Sequence, residues 1–103
     1  MANINSTFYW IRQEAQRRFN SAEASFMNAL ATWRRLAESG AHGCDIRQAG
    51  QRAVFEAQAL LSAERKLTEA GLSGNAHAIA QAREVVFPGA GIQRNRNRGD
   101  WSK

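Results

Sequence analysis

Apolar residues recur in steps of three and four along the first third of the chain: Phe8, Ile11, Ala15, Phe19, Ala22, Phe26, Ala29, Trp33 and Leu36. They lie within Ser6–Glu38, thirty-three residues without a Gly or Pro, and their mean spacing of 3.5 is that of a helix packed lengthwise on a partner. The stripe resolves into two columns at a spacing of seven, a small one (Ala15, Ala22, Ala29) and an aromatic one (Phe19, Phe26, Trp33). Small side chains let a second helix approach closely, and the aromatics beside them fill the groove. The spacing therefore predicts a helix over 6–38, with Asn3, Asn5 or Ser6 as its N-cap.

Gly40 ends this pattern and predicts a Schellman cap, with Ala41 reaching back to Leu36. The connection from Ser39 to Cys44 is short and glycine-rich, so the next helix is expected to return antiparallel. Asp45 followed by Gln48 reads as a capping box opening a helix over 45–70. Its seven-spaced column is Ile46, Ala53, Leu60 and Leu67, widened by Ala49, Val54, Ala57, Leu61, Ala63 and Ala70. Gly71 caps it, with Leu72 placed to meet Leu67. Phe55 and Ala59 point to another side, which implies a second contact.

A third helix over 75–86, capped by Ser73 or Asn75, has a short stripe of Ala76, Ile79, Ala82 or Arg83, and Val86 before Pro88 stops it. It is expected across an end of the hairpin. The fold class is all-α: an antiparallel helical hairpin with an Ala/aromatic heptad seam plus a short third helix, in a domain spanning 1–88. Such a hairpin leaves part of a long seam uncovered, so either a homodimer, two hairpins making a four-helix bundle, or a heteropartner is expected, with Ala15, Phe19, Ala22, Phe26, Ala29, Trp33, Ile46, Ala53, Leu60 and Leu67 as the hairpin or dimer seam.

Composition narrows this picture. Nineteen of the hydrophobic residues are Ala, so the core is thin in large side chains and many contacts must be close backbone approaches. No apolar run nears the roughly twenty residues that cross a bilayer, and the first residues lack the basic start and apolar centre of a secretory signal. A single cysteine excludes an internal disulfide and suits a reducing compartment, so a cytoplasmic protein is expected. In size and hairpin design the chain resembles the secreted hundred-residue WXG proteins. The Trp-x-Gly that defines their bend is replaced here by Ser39-Gly40-Ala41-His42-Gly43, so membership does not follow.

The net charge of +5 is unevenly spread. Residues 1–92 carry ten Lys/Arg against eight Asp/Glu, and residues 93–103 carry four against one. A nearly neutral body argues against the helices themselves forming a nucleic-acid surface. The doublets Arg17-Arg18 and Arg34-Arg35 are separated on their helix face by Ala24, Asn28 and Ala31, as on a solvated surface. Residues 89–103 read as a flexible basic tail. Arg94, Arg96 and Arg98 could grip phosphates and Trp101 could stack on a base, although three arginines alone bind weakly and salt-sensitively. Arg98-Gly99-Asp100 spells an integrin-binding tripeptide, a very short signal in such a tail.

Catalytic chemistry finds little support. His42, Cys44 and His77 are too few for the four ligands of a structural zinc, and a Cys44/His77 nucleophile pair lacks an orienting group. There is no phosphate-binding glycine loop and no H-E-x-x-H. No cofactor, metal or enzymatic activity is expected.

Two functions fit the chain. One is a non-enzymatic interaction protein that docks a helical surface on a larger protein, as an adaptor, inhibitor or assembly subunit of the kind mobile elements also encode. Tyr9 and Trp10 follow Phe8 and precede Ile11, and a helix can turn only part of such a run inward. Either another helix covers Tyr9 and Trp10, or they and Phe55 anchor a partner, a role in which Trp and Tyr are favoured. The alternative is a nucleic-acid-associated protein whose dimerisation presents two arginine tails, gaining affinity by avidity.

Overall fold

The computed structural model describes residues 2–88, and these are all-helical: α1 (Ala2–Glu38), α2 (Gly43–Glu69) and α3 (Ala76–Val86). Both glycine stops act as their spacing predicts. Gly40 and Gly71 take φ values of 72° and 77°, the left-handed region that glycine enters without steric cost. Ala41 N–H donates to the Leu36 carbonyl and Gly40 N–H to Ala37, while Leu72 N–H donates to Leu67 and Gly71 N–H to Thr68. Each is the paired bond set of a Schellman motif.

The helix starts differ from expectation. α1 begins at Ala2, so Asn3, Asn5 and Ser6 lie inside it instead of capping it. α2 begins at Gly43 with His42 as N-cap, and no side chain caps that end. Asp45 therefore sits within the first turn, where its charge faces the positive end of the helix dipole. Asn75 does cap α3, its Oδ1 accepting from His77 N–H at 3.0 Å and Ala78 N–H at 3.3 Å. Its Nδ2 also donates to Glu23 Oε2 at 2.8 Å, so one side chain both opens α3 and ties it to α1.

α1 and α2 lie against each other along most of α2, and the pairing advances in opposite directions along the two helices. Gly50 meets Trp33, Ala49 and Arg52 border the same hollow as Ala29 and Thr32, and Lys66 to Ala70 stand beside Trp10 to Arg18. The columns read from the sequence are inside: Ala15, Phe19, Phe26, Ala53, Leu60 and Leu67 are buried, and Ala22, Ala29, Trp33 and Ile46 are half-buried. Leu30 joins them, a core residue outside the expected stripe.

The core ends sooner than the stripe does. Phe8 and Ile11 remain 61% and 51% exposed. The reason is length: α1 has 37 residues and α2 has 27, about 55 Å against 40 Å at the helical rise. Gly71 stops α2 beside Ala15, and the first turns of α1 continue without it.

α3 packs chiefly along the C-terminal half of α2, not across an end, and touches α1 near Phe19 and Glu23. Its buried face is Ala78, Ile79 and Ala82, with Val85 and Val86 half-buried, whereas Ala76 and Arg83 are exposed.

Candidate docking surface

Residues 8–11 of α1 form a stretch that α2 and α3 leave exposed. Tyr9 and Trp10 are 58% and 68% exposed, so the neighbouring helix that could have covered them does not. Their rings meet edge to face, with centroids 5.8 Å apart and planes at 80°. This is the favoured geometry for aromatic quadrupoles.

At about 100° per residue, Phe8 falls in line with Ala15 and Ile11 about 60° from it, on the side that faces α2 lower down. Tyr9 and Trp10 fall on the flank and the back. Phe8 and Ile11 thus continue the seam side of α1, and Trp10 joins Ile11 in walling the groove that α1 makes with α2.

Beside this end lies an open groove of about 650 Å³, walled by Trp10, Ile11, Glu14, Ala15 and Arg18 of α1 and by Lys66, Glu69 and Ala70 of α2. No residue of α3 lines it. Its charged rim is balanced, two carboxylates against two cations. Glu14 accepts from Arg17 Nη2 at 2.6 Å and from Arg18 Nε at 2.8 Å. The hydrogen bonds from Arg17 and then Arg18 hold the Glu14 carboxyl below the usual glutamate value, and Glu14 in turn raises the Arg17 guanidinium. These are solvated pairs, of the sort that position side chains more than they stabilise a fold. Arg34 and Arg35 are exposed as well.

The remaining sequence-derived sites are scattered. Phe55 is 65% exposed near the middle of α2, separated from the Lys66–Ala70 wall of the groove by roughly 16–22 Å along the helix. It does not join Tyr9 and Trp10 in one patch. Arg94, Arg96, Arg98 and Trp101 lie outside the described residues. Cys44 is an exposed free thiol, and among the described residues no three His, Cys, Asp or Glu side chains gather closely enough to hold a metal ion. Among them, too, no helix is long and apolar enough to cross a membrane.

Two features escaped the sequence pattern. Phe8 and Ile11 read as seam residues, yet they belong to the exposed end. The signal was available in the two predicted helix lengths, since a helix over 6–38 must outrun one over 45–70. Phe87, exposed just past α3, carried no signal beyond its nearness to Pro88.

Comparison with family models, curated proteins and solved structures gives no match. The functional argument therefore rests on this surface alone.

Proposed function

We propose that the protein is a non-enzymatic interaction module, a small adaptor, inhibitor or assembly subunit, in which a helical hairpin carries an aromatic end that docks on a larger protein. The observation that carries this reading is the exposed Tyr9–Trp10 pair, set edge to face on a helix and contributing nothing to the core. Trp and Tyr offer large apolar area with few rotatable bonds, and they dominate the energetics of many interfaces. Four exposed large apolar side chains within about one turn make this end unusually apolar, unlike the single exposed apolar side chains normal on any surface. Phe55, isolated on α2, is a secondary anchor at most.

Capture of partners from host lysate tests the reading, with and without nuclease, for the full chain and for Trp10→Ala. The expected result is a discrete protein that survives nuclease and is lost with Trp10→Ala, while the variant melts within about 2 °C of the parent, as an exposed substitution should. Recovery of nucleic acid, with accompanying proteins released by nuclease, would move the function to the arginine tail.

A further inference from the structure

We draw no further inference here: the strongest candidate, the exposed apolar patch of Phe8, Trp10 and Ile11 near the start of α1, carries none beyond the docking already proposed, because nothing in the structure shows what covers it.

Discussion

The α-carbon of Gly74 rests on the ring of Phe19. A β-carbon added at residue 74 would come within 2.7 Å of Cε1 and 2.9 Å of Cε2, inside the van der Waals surface of the ring. Phe19 is almost wholly buried and has little room to move away. Backbone conformation is not the constraint, since Gly74 does not have a positive φ. Gly74→Ala should therefore destabilise the protein by about 1–3 kcal/mol through overpacking alone. Thermal unfolding would register this as a drop of several degrees, at roughly 4–8 °C per kcal/mol for a domain of this size. A variant as stable as the parent would show that Phe19 does not hold the α2–α3 connection in place.

Gly50 makes a softer version of the same contact. Its absent β-carbon would lie 3.0 Å from Cε2 of Trp33, a half-buried ring that can retreat by a few tenths of an ångström. Alanine also gains about 1 kcal/mol of helix propensity over glycine. Gly50→Ala should thus stay within about 1 kcal/mol of the parent, the two effects offsetting. Gly50→Val adds two more carbons and loses most of the propensity gain, so it should cost about 2–3 kcal/mol. Denaturant titration of the two variants side by side measures the difference.

These two glycines mark what could be read from the chain and what could not. Heptad columns and glycine stops are local patterns, and they predicted Phe19, Phe26, Ala53, Leu60 and Leu67 as core and Gly40 and Gly71 as caps. Gly74 and Gly50 serve partners 55 and 17 residues away in sequence, so nothing near them distinguishes a close approach from a turn or a weak helix position. The start of α2 was misread for another reason. Asp45 and Gln48 have capping-box spacing, but the preceding turn already lets the His42 carbonyl accept from Ile46 N–H at 3.1 Å, and the helix starts there. The candidate site was half legible. Four large apolar residues in a row left Tyr9 and Trp10 either covered by another helix or exposed, and both their fate and that of Phe8 and Ile11 depended on where a different helix stopped.

Asn75 carries two jobs in one side chain. Asn75→Ala loses the acceptor for His77 and Ala78 N–H and the donor to Glu23. Loss of an N-cap alone costs about 0.5–2 kcal/mol. Asn75→Asp keeps the cap acceptor but sets a second carboxylate against Glu23, so it should recover only part of the loss. Melting curves of both, with recovery by Asp improving as salt rises, would separate capping from the link to α1.

Glu14 gives the first turns of the groove a dependence on pH. Its carboxyl titrates below its ordinary 4.5 in the folded chain because Arg17 and Arg18 hydrogen-bond the charged form. A carboxylate lowered in this way contributes its stabilisation above the unfolded value and loses it as pH falls through the folded one. Glu14→Gln should therefore melt slightly lower than the parent at neutral pH. The gap should close as the solution is acidified below about 4.5, and it should shrink in high salt because the pairs are solvated. A gap that widened toward acid would contradict the pairing.

The limit of the core at Ala15 yields the sharpest contrast. Phe8, Phe19 and Phe26 all belong to one stripe of α1, and the sequence pattern treats them alike. Phe19 and Phe26 are buried with Leu60 and Leu67 in one cluster, whereas Phe8 lies past the last turn of α2 and is mostly exposed. Truncating a buried Phe to Ala costs about 3–5 kcal/mol, which in a domain this small approaches the whole of its stability. Phe26→Ala should be largely unfolded at 37 °C. Phe8→Ala, by contrast, should lie within about 0.5 kcal/mol of the parent. Urea titrations of both variants make this comparison, and a loss in Phe8→Ala comparable to that in Phe26→Ala would place Phe8 back in the core.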